Sequence, residues 1–167
     1  MSLTIRAFAG LVLAMSCVVL GTALLSQYWG GLAPCELCLL QRWPWAAAIA
    51  LAVALLLFGK PAGLPWAALA LAAIFTIGAV FAFYHVGVEQ KWFAGPSACT
   101  AHPGAAMTVE EMERQLLSTP PVLCDKVQWS LFGVSLAGWN LVVSLAMAAF
   151  CLAAFRGARG RTSAAAA

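Results

Sequence analysis

The chain has 167 residues, of which 63% are hydrophobic and 9% charged, and its mean hydropathy is +0.92. That is one domain's length and far too apolar for an ordinary soluble domain, so a nucleic-acid binder is set aside despite a formal net charge of +3. The basic residues mostly flank apolar runs, where they read as membrane-topology signals.

In chain order, Arg6 is followed by no charge from Ala7 to Cys35. Residues 8–26 form a first predicted span, since a bilayer takes roughly 20 apolar residues to cross. A cleaved signal peptide would also use Arg6 as its basic flank, but the apolar core is long and no small-x-small site follows it. Leu32-Ala33-Pro34-Cys35 faintly resembles a lipoprotein box, and the proline before the cysteine argues against processing.

A short connection at 27–35 leads to Cys35-Glu36-Leu37-Cys38-Leu39-Leu40-Gln41-Arg42. A Cys-x-x-Cys pair that opens a helix puts two thiols within one turn, close enough to bridge, and the amide dipoles there favour a thiolate. If the helix continues through Gln41, Cys38 and Arg42 share a face, and the guanidinium favours a thiolate or an anionic ligand beside Cys38. Taken alone, the pair fits half a zinc site or a structural bridge equally well. The second predicted span, 36–58, reaches full length only if its helix starts near Cys35, which puts Pro44 inside it as a kink. The alternative starts the helix at Trp43 and leaves the cysteines in a loop.

Gly59-Lys60-Pro61-Ala62-Gly63 is a breaker, so the third span, 65–88, returns antiparallel and ends near Tyr84, His85 and Glu89. The fourth span, 131–155, is followed by a basic tail, 156–167, with Arg156, Arg159 and Arg161. The long loop between them, 89–130, holds Cys99, Cys124 and five of the six acidic residues. Within it Thr108-Val109-Glu110-Glu111 fits a capping box, with Val109, Met112 and Leu116 at helical spacing and Pro120-Pro121 as the stop. Such a helix either lies on the membrane surface or is a plain solvated loop helix.

The fold expected is therefore an all-α membrane protein, an antiparallel four-helix bundle in a single domain, 1–155. With both termini on one side, Arg6, Lys60 and the tail arginines mark that side as cytoplasm. Cys35, Cys38, Cys99 and Cys124 then fall on the opposite side, where disulfides persist, whereas Cys17 and Cys151 lie inside spans as small apolar packers. Two exchanging disulfides fit this layout. A zinc site fits it poorly, because Cys99 and Cys124 lack knuckle spacing and an oxidising compartment disfavours free thiolates, so no metal is expected.

Cys35-Glu36-Leu37-Cys38-Leu39-Leu40-Gln41-Arg42 resembles the Cys-x-Leu-Cys-x-x-(Gln/Glu)-Arg signature of the DsbB family of bacterial disulfide-forming membrane proteins. Tyr84-His85-Val86-Gly87-Val88-Glu89 resembles that family's third-span exit, and Cys124-Asp125 with Trp129, Phe132-Gly133 and Trp139-Asn140 its approach to the fourth span. The resemblance covers about residues 6 to 155. It implies an inner-membrane protein thiol:quinone oxidoreductase that reoxidises a periplasmic DsbA-like thiol oxidase and passes the electrons to ubiquinone or menaquinone. Carried over by residue, Cys99 is attacked by the partner's thiolate and Cys124 is the other half of the loop disulfide. Electrons then reach Cys35–Cys38, with Cys38 nearest the quinone, Arg42 stabilising the anion and His85 a candidate donor to a quinone carbonyl. Lipid bilayer, quinone pool and thiol oxidase are the partners expected; no nucleic acid is.

Local departures qualify the match. Gln41 stands where some relatives carry Glu, removing a proton acceptor near the quinone, and His102 has no family role. Trp43-Pro44-Trp45 is expected to anchor at the interface. The rival readings are a scaffold with purely structural disulfides and an outward reductive conduit, which would need Cys17 and Cys151. A haem subunit would need paired intramembrane histidines, and only His85 approaches a span. The vitamin K epoxide reductase family places its Cys-x-x-Cys late in the bundle, whereas here it precedes the second span.

Overall fold

The structure is a computed structural model that describes residues 4–96, 108–110 and 123–164. Helix α1 runs Ile5–Tyr28, begun by Thr4, whose hydroxyl accepts the Ala7 amide at 3.2 Å. Its 24 residues reach about 36 Å, enough for a hydrocarbon core of roughly 30 Å.

The Cys-x-x-Cys opens a short helix of its own, α2 (Glu36–Leu40), and α3 (Arg42–Phe58) follows after a break at Gln41. Neither a continuous kinked helix from Cys35 nor a helix starting at Trp43 is found. The reason is Pro44, which has no amide hydrogen for the Leu40 carbonyl and whose ring would press on it. Breaking at Gln41 puts Pro44 in the first turn of α3, where a missing donor does no harm.

A 3-10 turn at Pro61–Gly63 reverses the chain into α4 (Leu64–Glu89). Past α4, Lys91 takes a φ of 60°, and the Trp92 and Phe93 amides both donate back to the Gly87 carbonyl. Phe93 thereby lies against Gly87, where its ring leaves no room for a Cβ, and stacks on Tyr84 with centroids 5.9 Å apart. A hairpin of β1 (Ser130–Leu131) and β2 (Val134–Ser135) precedes the last helix, α5 (Leu136–Ala164). Its two-residue turn, Phe132 and Gly133, has both φ values positive (52° and 78°), the geometry that matches strand twist. The hairpin occupies 130–135, so the last helix starts at Leu136 rather than at 131. In the loop, Val109 and Glu110 are helical, while Met112, Leu116 and the prolines of the expected amphipathic helix lie outside the described residues.

Four segments are long and apolar enough to cross a membrane: Ile5–Tyr28, Glu36–Phe58, Pro61–Glu89 and Leu136–Gly160. The fold is thus the expected antiparallel four-helix membrane bundle. Contact is most extensive between α4 and α5, then between α1 and α3, and slight between α1 and α5. Helix α4 is central because its buried stripe is small, with Ala68, Ala72, Gly78, Ala79 and Ala82 letting neighbouring backbones approach. At Gly78 an added Cβ would sit 3.2 Å from Pro44 and 3.5 Å from Ser144. Leu71 and Phe75 fill the centre with Trp45, and Phe8 stacks on Phe150 at 5.7 Å. Leu57, Ile77, Val80 and Leu145 point outward, as lipid-facing residues do.

Candidate active site

Four pieces of chain meet at one end of the bundle: the turn into α2, the α2–α3 break, the last turn of α4 and the start of α5. Cys35 is the N-cap of α2, its Sγ accepting the Cys38 amide at 3.3 Å. The Cys35 thiol donates to Cys38 Sγ across 3.0 Å. That hydrogen bond, together with burial, pushes the Cys35 thiol up to about 12, so the proton stays on Cys35 and Cys38 is the accepting sulfur of the pair. Cys35 is buried and Cys38 half-buried. The completely buried Cys124 joins Cys35, Leu37 and Val88 in one small cluster, with Cys38 and Tyr84 packed against it. A loop cysteine therefore rests on the Cys-x-x-Cys pair, although nearly ninety residues of sequence separate them.

His85, 4% exposed, comes from α4 and places Nε2 3.6 Å from Cys35 Sγ. Its Nδ1 lies 2.6 Å from Gln41 Nε2. Gln41 in turn accepts from Asn140 Nδ2 at 2.5 Å, and Asn140 Oδ1 accepts the Trp45 indole N–H at 2.8 Å. One turn beyond His85, Glu89 approaches its Nε2 to 4.0 Å and accepts from the Ser135 hydroxyl at 2.5 Å. The ligand atoms of Cys35, Cys38 and His85 lie within 4.8 Å of one another, a spacing that a soft metal would also accept.

Where α1 and α5 fail to close on each other, a cavity of about 280 Å³ opens beside the sulfurs. Apolar side chains such as Val18, Val19 and Val143 form most of its wall, and Cys38, Arg42, His85 and Asn140 supply converging polar groups. Arg42 reaches across to α1, donating to Gln27 Oε1 at 2.6 Å and to the Ala23 carbonyl at 3.4 Å. Its guanidinium is thus held by protein at the cavity. Cys38 and Arg42 lie on either side of the helix break, not on one continuous face, yet both border this space.

A family model, Disulfide bond formation protein DsbB, matches residues 5–154. The chain belongs to the DsbB family. It is 30% identical to Disulfide bond formation protein B of Aromatoleum aromaticum over 92% of this chain and 93% of the relative. Against the protein of the same name from Haemophilus influenzae it is 29% identical, over 83% of this chain and 79% of the relative. No solved structure matches it significantly. With its four spanning helices, this member of the family is a multi-pass membrane oxidoreductase of disulfide-bond formation.

Cys35, Cys38, Arg42 and His85, all singled out in the sequence, line the cavity together, and Cys124 packs against the pair. Cys99 and His102 lie outside the described residues. Cys151 is buried in the core and Cys17 is exposed on α1. Three parts of the site escaped sequence reasoning. Trp45 is 2% exposed and donates inward, so the interfacial anchor of its pair is Trp43 alone, at 72%. Asn140 carries a hydrogen-bond role that its place in a motif did not suggest. Glu89 reads as a loop residue but is turned inward onto His85. Their common signal is a polar side chain at the end of an apolar span, where polarity is expensive and marks function.

Proposed function

We propose that this protein takes electrons from a reduced, DsbA-like periplasmic thiol oxidase and delivers them to a membrane quinone, ubiquinone or menaquinone. The observation that carries the reading is the position of Cys124 against Cys35 and Cys38, with the same pair lining an apolar cavity. The residues present fit a quinone: the wall is apolar and open between α1 and α5, where an isoprenoid tail can leave toward lipid. Arg42, His85 and Cys38 would hold its head, in keeping with their place on the cavity wall. When bound, the quinone accepts the two electrons and two protons released as the Cys35–Cys38 dithiol becomes a disulfide.

The protein's own residues do the rest. Cys99 meets the partner's thiolate and its bond to Cys124 is exchanged, leaving the partner oxidised and the loop pair reduced. The loop pair then reduces Cys35–Cys38 by the same exchange, for which Cys124 is already adjacent. Arg42 favours negative charge at the cavity, whose mostly apolar wall screens it little. The positions of Arg6, Lys60 and the tail arginines support cytoplasmic termini and periplasmic cysteines in the inner membrane. A periplasmically active reporter fused after Arg161 would reverse that orientation. The central test mixes the purified protein with a reduced thioredoxin-fold oxidase and a soluble quinone and follows quinone absorbance. Steady loss of the quinone band with oxidation of the partner is expected; cysteines that stay oxidised throughout would return the protein to the scaffold reading.

A further inference from the structure

Hydrogen-bond direction can be traced through the buried chain at the cysteine end, because both of its fixed ends carry groups with only one possible role. The Trp45 indole N–H can only donate. Facing Asn140 at 2.8 Å, it requires the oxygen of that amide, which turns the Asn140 nitrogen toward Gln41. The Asn140 nitrogen can only donate, so Gln41 presents its oxygen to Asn140, at 2.5 Å, and its nitrogen elsewhere. The second end agrees independently. The Leu37 carbonyl can only accept, and the Gln41 atom 3.2 Å from it must be the nitrogen. One amide hydrogen goes to Leu37, and the other points at His85 Nδ1, 2.6 Å away. An imidazole nitrogen that receives a hydrogen bond carries no proton.

We propose that Gln41 is a positioning residue that locks neutral His85 in the tautomer protonated on Nε2, with that N–H aimed at Cys35 Sγ. The Nε2 atom lies 3.6 Å from this sulfur and 4.0 Å from Glu89 Oε1, so its proton faces the redox pair and a carboxylate rather than the bundle interior. Cys35 Sγ then faces two donors, the Cys38 amide at 3.3 Å and His85 Nε2–H. Both ease charge on that sulfur, against the Cys38 hydrogen bond and the burial that keep the proton on Cys35. A glutamate at position 41 would do the opposite, because a carboxylate facing Nδ1 calls for a proton there. The gain at Cys35 rests on the electron-relay reading; the tautomer itself does not.

The test labels the histidines of the full chain with nitrogen-15 and reads their ring nitrogens in lipid nanodiscs, without quinone, above the pH at which imidazole titrates. Two histidines are present, so a His85→Gln sample assigns the signals. The wild type is expected to show a bare Nδ1 and a protonated Nε2 at His85, and Gln41→Glu a protonated Nδ1. Gln41→Leu, which keeps the bulk and removes the donor, is expected to mix the two tautomers. A protonated Nδ1 in the wild type overturns the proposal, and so does an unchanged spectrum in Gln41→Leu. Because the signals are read without quinone, a failed lock and a failed electron relay are told apart.

Discussion

The two ends of this bundle are held together by different physics. At the end where α1 starts, Ile5 and Phe8 meet Leu64, Ala68, Phe150 and Ala158 in an apolar cluster whose helices approach through small side chains. At the cysteine end Trp45, Asn140, Gln41, His85, Glu89 and Ser135 form a buried polar run spread over α3, α4, α5 and the breaks between them. Lipid tails are as apolar as leucine, so packing rather than water exclusion holds the first end. A polar run at membrane depth is tolerated only when its members are paired, as these are, and hydrogen bonds therefore hold the second end. On the proposed function, stability and chemistry fall to separate halves of the same four helices.

Substitutions can sharpen that division. The largest effect is expected at the sulfurs: Cys35→Ser or Cys38→Ser should abolish quinone reduction while thermal unfolding is nearly unchanged. Cys99→Ser should block electrons from the protein partner yet leave the Cys35–Cys38 pair able to pass electrons from a small dithiol to quinone. Electron entry from the partner at the normal rate in that variant would remove Cys99 from the pathway.

Arg42→Ala comes next, with quinone reduction per folded molecule expected to fall about a hundredfold, the usual loss for a placed electrostatic stabiliser. Arg42→Lys should recover part of it, keeping the charge but losing the fork that now spans Gln27 and the Ala23 carbonyl. Normal turnover in both variants, with altered insertion, would make Arg42 an anchor only.

The smallest catalytic effect should come from the apolar end. Phe8→Ala removes a fully buried ring stacked on Phe150 and is expected to lose about 3 kcal/mol of stability, read by unfolding in detergent. Turnover per folded molecule should hold. If it collapsed with Phe8, the two halves would be coupled and the division drawn here would fail.

Much of the architecture was legible in the sequence, because a membrane imposes a simple rule of length and polarity. Charge-free runs bounded by Arg6, Lys60 and Arg156 announced four helices, and the breaker at Gly59–Gly63 set their antiparallel order. The Cys-x-x-Cys spacing drew attention to Cys35, Cys38 and, one turn on, Arg42, whereas His85 was singled out by the family resemblance. Local rules erred at the joints. Pro44 was read as a kink, whereas its steric demand on Leu40 breaks the helix at Gln41. Phe132-Gly133 forms a hairpin turn, so the last helix is shorter at its start than its hydropathy suggested.

What the sequence determined by itself, then, is whatever depends on composition along one segment: the spans, their order and the reactive pair at the head of the second. What only the tertiary structure decided is whatever depends on direction between segments. Trp45 and Trp43 are two residues apart and alike in chemistry, yet one points into the bundle at Asn140 and the other outward. Cys124 reaches Cys35 only because α4 and α5 bring the far end of a long loop back to the head of α2. A hydrogen bond is set by the orientation of both partners, and residues some hundred positions apart acquire an orientation only when the helices pack.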